Sequence, residues 1–252
     1  MKKTILTIFS VTAVISAAAE SPLWLRDAAI SPDGSEIAFT YKGDIYAVAT
    51  NGGRARQITT DDAYDSKPVW TPDGERIVFR STRCGSPDIF ICNANGGNVR
   101  RLTTHSGTET PLGFNPVGQL VFTANIMPAR EAIQGPFQTQ NYTLDINSEG
   151  ARPRLDMSVQ TRAISYNSDG DMLYEDKKGF EDPLRKHERS SGTSDIWLVS
   201  NGQFKKLTNF NGHDLNPVWA PDNKSFYYIS EQDGTLNVWL ERPEHAGTAW
   251  ES

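Results

Sequence analysis

The sequence predicts an all-β fold, a β-propeller of four-stranded antiparallel blades with about five recognisable copies, the last incomplete. Two observations predict it. A turn phrase recurs as Ser31-Pro32-Asp33-Gly34, Thr71-Pro72-Asp73-Gly74, Asn115-Pro116-Val117-Gly118, Asn167-Ser168-Asp169-Gly170 and Ala220-Pro221-Asp222-Asn223. The successive starts lie 40, 44, 52 and 53 residues apart, a period that belongs to propellers and solenoids. Each turn is also flanked by β-rich runs and followed by further turn residues, so every period holds several short strands.

The first 19 residues stand apart from this pattern. Lys2-Lys3 precedes an apolar run from Ile5 to Ala19 that ends in Ala17-Ala18-Ala19, the arrangement of a secretory signal peptide cleaved after a small residue. A membrane anchor is the alternative, but the run is short for a span and carries Thr7, Ser10, Thr12 and Ser16. The expectation is a periplasmic or otherwise exported protein with no stable membrane anchor after cleavage. No Cys stands at the cut to take a lipid. The mature chain keeps 23 basic and 31 acidic residues, a formal charge of −8. With no Lys/Arg stripe to meet phosphates, nucleic acid is excluded as a partner.

Residues 22–239 carry the blades. In the first, Ala28 to Ser31 forms an inner strand, and Ser31-Pro32-Asp33-Gly34 fits a type I turn in which Pro pre-sets φ and Gly relieves the fourth position. Glu36-Ile37-Ala38-Phe39-Thr40-Tyr41 runs out, Lys42-Gly43 turns, and Asp44-Ile45-Tyr46-Ala47-Val48 returns. Asn51-Gly52-Gly53 tolerates positive φ and makes a second tight hairpin before Arg56-Gln57-Ile58-Thr59-Thr60. The second copy repeats each part with Pro68-Val69-Trp70, Arg76-Ile77-Val78-Phe79, Asp88-Ile89-Phe90-Ile91, Asn95-Gly96-Gly97 and Arg101-Leu102-Thr103-Thr104. Ile77-Val78-Phe79 is apolar on both faces, as a sheet between two neighbours requires.

The third copy runs from Pro111 through Leu120-Val121-Phe122 to Asn141-Tyr142-Thr143-Leu144-Asp145-Ile146. The fourth has Ala163-Ile164-Ser165-Tyr166, Met172-Leu173-Tyr174, Asp195-Ile196-Trp197-Leu198-Val199 and Lys206-Leu207-Thr208. The fifth has Pro217-Val218-Trp219, Ser225-Phe226-Tyr227-Tyr228-Ile229 and Asn237-Val238-Trp239, and then residues 240–252 read as a non-repeat polar tail. Trp70 and Trp219 occupy equivalent places and are expected to be packing residues rather than stacking platforms for a ligand.

The third and fourth periods are longer because Ile126 to Gln140 and Lys177 to Ser194 are inserted between second and third strands. Strand ends alternate in a meander, so both insertions should leave one face of the disc and the Pro-Asp-Gly and Asn-Gly-Gly turns the other. Loops on rigid scaffolds carry binding functions. Met127, Phe137, Phe180, Asp182, Arg185 and His187 are therefore candidate contacts for a peptide or protein, against the plainer reading of solvated loops whose charges cancel.

No catalytic, cofactor-binding or metal site is expected from the residues present. His105, His187, His213 and His245 show no paired spacing for zinc, and no Gly-x-Ser-x-Gly turn is present. His105-Ser106 and His213-Asp214 lack a third orienting group. Turn chemistry accounts for Asp33, Asp73, Asp169 and Asp222, while Asp62, Asp65 and Asp214 are weak candidates for a cation at a central channel. Cys84 and Cys92 flank a predicted turn at a separation too wide for a disulfide and are expected to be unpaired.

The run Pro68 to Phe79, with Asp88-Ile89-Phe90, Asn95-Gly96-Gly97 and Arg101-Leu102-Thr103, resembles the TolB-type propeller repeat. Over Pro22 to Trp239 the chain resembles the amino-terminal propeller of exported bacterial homologues of tricorn protease. Lys42-Gly43-Asp44-Ile45-Tyr46, Leu102 to Leu112 and Asp176-Lys177-Lys178-Gly179-Phe180-Glu181-Asp182-Pro183 are the more specific phrases. The resemblance implies a large serine peptidase in which propellers admit peptides to a carboxy-terminal catalytic core behind a PDZ domain. Neither of those domains falls in this chain, and no family catalytic residue maps onto it, so the expectation is a truncated or frame-shifted product. The implied function is a non-catalytic, substrate-gating propeller whose partners are peptides, proteins, the rest of a peptidase or further blades. The alternative is a stand-alone periplasmic TolB-like binding or scaffold propeller; a propeller enzyme acting on sugars or lactones would need a polar cluster that the sequence lacks.

Overall fold

The computed structural model describes residues 24–125, 139–148, 150–178, 187 and 189–244. Among them every regular element is a strand. Blade 1 comprises β1 (Arg26–Ile30), β2 (Glu36–Tyr41), β3 (Asp44–Ala49) and β4 (Arg56–Gln57); blade 2 comprises β5 (Asp65–Trp70), β6 (Arg76–Ser81), β7 (Asp88–Asn93) and β8 (Arg100–Arg101). Blade 3 has β9 (Glu109–Phe114), β10 (Leu120–Ala124), β11 (Gln140–Leu144) and β12 (Arg154–Met157), and blade 4 has β13 (Thr161–Tyr166), β14 (Met172–Asp176), β15 (Ile196–Ser200) and β16 (Gln203–Lys206). Blade 5 is a three-stranded sheet, β17 (Asp214–Trp219), β18 (Phe226–Ser230) and β19 (Asn237–Glu241). All pairing is antiparallel between sequence neighbours, as in a meander.

The turn phrases close as their composition requires. The N–H of Gly34, Gly74, Gly118, Gly170 and Asn223 donates to the carbonyl of Ser31, Thr71, Asn115, Asn167 and Ala220, respectively. Gly74 sits at φ 72°, the left-handed region where a Cβ is penalised. The aspartates are absorbed by the turns: Asp33 accepts from Ser31 Oγ at 2.6 Å and the Ser35 N–H at 3.0 Å, and Asp222 accepts from the Lys224 and Ser225 N–H groups. Those donors hold both carboxyls down at about 2.

Along each second strand, alternate residues face opposite neighbours. Ala38, Ile45 and Ala47 of blade 1 pack with Trp70, Ile77, Phe79, Phe90 and Cys92 of blade 2. On the other face of blade 2, Val78, Ile89 and Ile91 pack with Leu120, Phe122, Tyr142 and Leu144 of blade 3. Leu173 and Ile196 of blade 4 meet Phe226 and Tyr228 of blade 5 in the same way. The continuous apolar reading of Ile77-Val78-Phe79 is thus a burial on both faces. Cross-strand aromatic pairs mark one register in each of blades 1 to 4: Phe39–Tyr46 at 6.0 Å, Phe79–Phe90 at 6.1 Å, Phe122–Tyr142 at 5.9 Å and Tyr174–Trp197 at 6.2 Å between centroids. Such pairs add about 0.5–1.5 kcal/mol each beyond area burial.

Two further devices repeat. Thr59, Thr103 and Thr208 present Oγ1 to the N–H of Ile45, Ile89 and Ile196 at 2.9–3.0 Å, while the preceding Ile58, Leu102 and Leu207 N–H groups donate to the carbonyls of the same three residues. The outer strand is therefore pinned even where it is two residues long. A basic residue of the outer strand also reaches the next blade: Arg56 donates to the Ala94 carbonyl at 2.7 Å, Arg100 to that of Ile146 at 3.2 Å and Lys205 to that of Pro243 at 2.7 Å.

Some expectations shift in detail. Blade 3 has an outer strand, β12, that the sequence did not announce, because neither an Asn-Gly-Gly hairpin nor a Leu-Thr pair precedes it. The last strand continues past Trp239, with Leu240 and Glu241 paired to Tyr227 and Phe226. Trp70 is buried with Nε1 donating to the Ala29 carbonyl at 3.0 Å, whereas its equivalent Trp219 is only half-buried. Cys84 is exposed and Cys92 buried, both as free thiols, and burial pushes the Cys92 thiol up to about 12.

Candidate functional site

The inner strands β1, β5, β9 and β13, with Asn216 of β17, line a channel of about 580 Å³. Its wall is apolar, with Val69, Leu112 and Ile164 among the residues that face it. Its polar groups gather where the inner strands begin: Asp27, Lys67, Thr110, Arg162 and Asn216. By register this is the insertion end of the disc, since Asp65 pairs with Ser81, Glu109 with Ala124 and Thr161 with Asp176, at the far ends of the second strands.

A repeated irregularity aims these groups. The pairing of inner and second strands slips between Arg26 and Ala29, between Ser66 and Val69, and between Leu215 and Val218. At the slips Asp27, Lys67 and Asn216 take φ of 53°, 56° and 50°. A bulge leaves one residue outside the ladder and redirects it. The amides freed in this way find a carboxylate on the preceding blade: the Lys67 N–H donates to Asp27 Oδ2 at 3.4 Å and the Asn216 N–H to Glu175 Oε2 at 2.9 Å. Asp27 also pairs with the Lys67 ammonium at 2.6 Å, and Glu175 lies 3.8 Å from Arg162 Nε.

The rim is basic within an acidic protein. Lys67 and Arg162 line it against Asp27, and beside the lining Arg80 links blades 2 and 3 through Ser66 Oγ at 3.2 Å and Thr110 Oγ1 at 3.5 Å. The facing carboxyls are Asp27 and the buried Glu175, which burial pushes up to about 7. Burial and the positive Arg162 together lower the Lys177 ammonium.

Of the sequence-derived contact candidates, Met127, Phe137, Phe180, Asp182 and Arg185 lie outside the described residues. His187 is described and exposed, with its N–H donating to Glu231 Oε2 of blade 5 at 2.9 Å. Lys178 binds the Asp195 carboxylate and the Thr193 carbonyl, and the Arg189 guanidinium lies 5.9 Å from the Phe210 ring. The described flanks of the second insertion are thus fastened to blades 4 and 5.

The weaker candidates have structural employment. Asp65 is fully buried in a two-bond pair with Arg83 at 2.8 and 3.1 Å, and Asp214 is buried with its carboxyl pushed up to about 6. Neither lines the channel, and among the described residues no three His, Cys, Asp or Glu side chains are placed to hold a metal ion. His213 Nδ1 accepts the Ser194 N–H at 3.1 Å inside the core, and His105 Nδ1 accepts the Gly107 N–H at 3.0 Å in its own turn. The bulged rim residues escaped the sequence reading. Their one signal is position, immediately before Pro68-Val69-Trp70 and Pro217-Val218-Trp219.

The profile of the Tricorn protease N-terminal beta propeller domain matches residues 22–248. The chain belongs to this family. Putative tricorn protease homolog 2 of Streptomyces coelicolor is 25% identical over 212 residues, covering 82% of this chain and 18% of that protein. The tricorn protease crystal structure superposes with a TM-score of 0.69 at 23% identity, over 88% of this chain and 22% of the other. The putative TolB from Agrobacterium tumefaciens gives a TM-score of 0.66 at 17% identity, over 88% and 78% of the two chains. The chain therefore spans less than a quarter of the tricorn proteins it matches. The tricorn propeller family accounts for the fold of this chain and leaves its chemistry to the residues just described.

Proposed function

We propose that this chain is an exported, non-catalytic propeller module that receives peptides at its channel and insertion face and gates their passage to a serine peptidase. One observation carries the reading: an apolar channel opens through a basic rim on the face from which both insertions leave. An apolar bore accepts side chains of many kinds, and the rim favours acidic or carboxyl-terminal groups through long-range attraction. The Lys2-Lys3 start and the apolar run to Ala19 support export to the periplasm, with the mature protein beginning at Glu20; amino-terminal sequencing of the secreted form checks that start.

Purified 20–252 should bind fluorescently labelled casein peptides without cleaving them. Lys67→Glu should weaken binding of acidic peptides several-fold at low salt, about 1 kcal/mol, and much less at high salt. Absence of binding overturns the peptide reading, and robust turnover overturns the non-catalytic part. A second reading, a stand-alone TolB-like binding or scaffold propeller, draws on the match that spans 78% of the Agrobacterium TolB chain. Fold alone does not carry function; affinity for a folded protein in preference to extended peptides would favour this second reading.

A further inference from the structure

The charged lining of the channel divides into two unequal parts. Asp27 and Lys67 pair with each other at 2.6 Å within the lining itself. Arg162 lines the channel too, but the carboxyl beside it, Glu175 at 3.8 Å, stands behind the wall and is 2% exposed. The same carboxyl accepts the Asn216 N–H at 2.9 Å across the seam between blades 4 and 5. Glu175 therefore touches two lining residues without lining the channel.

The repeat does not require an acid at this place. By register against the third strand, Glu175 corresponds to Thr40, Arg80, Thr123 and Ile229 in the other blades. Blade 4 alone puts a carboxyl there, and its surroundings keep that carboxyl titratable near neutral pH. Burial pushes it up to about 7, while the Asn216 amide, Arg162 and the Ser194 hydroxyl draw it down and Asp176 adds repulsion. Asp176 is itself satisfied by the Asp195 N–H and by Trp197 Nε1. Lys177 is close enough to Arg162 for the two cations to repel, and the buried His213 faces this corner through the Ser194 N–H.

We propose that Glu175 is a proton-operated regulator of charge selection at the channel rim. Ionised, it offsets the Arg162 guanidinium and disfavours the entry of anions. Protonated, its carbonyl oxygen still accepts the Asn216 amide, so the wall keeps its shape while the Arg162 charge acts on the channel without that offset. The rim thus becomes more positive as pH falls through neutrality, and anionic chains enter more readily in acid. The proposed peptide channel supplies the identity of those chains; the charge step stands without it.

Thr110→Cys in a Cys84→Ser background places a thiol on the lining, with Cys92 buried. It is labelled with an anionic and a neutral methanethiosulfonate, and the ratio of the two rates reports the local potential independently of thiol ionisation. The ratio should rise by about threefold or more from about pH 8 to about pH 6 at low salt, and by less at high salt. Glu175→Gln should hold the ratio at its acid level throughout. Arg162→Gln should lower the ratio and move the step to higher pH, because the cation that draws the carboxyl down is gone. Glu109→Gln, which removes another buried carboxyl pushed up to about 7 beside Thr110, should keep the step. A histidine-free acidic peptide should gain affinity over the same range in the parent chain and not in Glu175→Gln. A flat ratio in the parent, a step that survives Glu175→Gln, a step unmoved by Arg162→Gln, or a step lost with Glu109→Gln overturns the proposal. A thiol step that Glu175→Gln abolishes, without peptide binding at any pH, supports the regulator and overturns the peptide reading instead.

Discussion

Thr59, Thr103 and Thr208 each give a buried amide its acceptor. Replacing one by Val keeps the shape and orphans the N–H, which costs about 1–3 kcal/mol. Urea unfolding of Thr103→Val should show that loss at unchanged m-value, and Thr103→Ser should recover most of it. Buried carboxyls set a pH dependence of the opposite origin to the turn aspartates. Glu109 and Glu175 are pushed up to about 7 and Asp214 to about 6, each mainly by burial. Unfolded, these groups titrate at about 4. Between those values the folded state holds more protons, so stability is fully present at low pH and is lost as pH rises from about 4 towards 7. Glu175→Gln should flatten the fall of Tm between pH 5 and 7, and it should leave the acid limb below pH 4 to Asp33 and Asp222.

At the scale of strands and turns, position within the repeat decides the energetic weight of a side chain. Ile89→Ala should cost about 2–5 kcal/mol by opening a cavity between blades 2 and 3. Val238→Ala, at the same register in blade 5, should stay within about 0.5 kcal/mol; matched chemical denaturation curves separate the two. Much of this level was legible in the residues. Pro72, Asp73 and Gly74 encode a turn by local chemistry alone, and Ile77-Val78-Phe79 encodes a two-sided burial that only stacked sheets provide. The bulges were not legible: Lys67 gives no sign of a left-handed φ, and although Asn216 is of a type that tolerates one, the neighbouring blades supply the reason for it through Asp27 and Glu175. For the same reason the basic channel rim had no signature, being assembled from residues separated by whole periods. The strand β12 was missed because its pairing with β11 uses backbone groups without the Thr hydroxyl that marks its equivalents.

Over the whole molecule, stability approximates a sum of blades and of interfaces between neighbours. Blade 5 has one such interface among the described residues and three strands, so it should open first. Native-state hydrogen exchange should show the amides of β18 exchanging by local opening at lower free energy than those of β6, whose blade is held on both faces. A uniform exchange pattern across the two would contradict this arc-like organisation. β19 brings a separate consequence. Among the described residues β19 is an edge strand of five residues with Val238, Trp239 and Leu240 at its centre, and the backbone row of such an edge is a template for intermolecular pairing. The chain flanks it with Asn237 and with Glu241-Arg242-Pro243-Glu244. Charge and a proline immediately beyond the apolar centre act as gatekeepers against aggregation, so the sequence that reads as a break in the repeat also protects the exposed strand from its own kind.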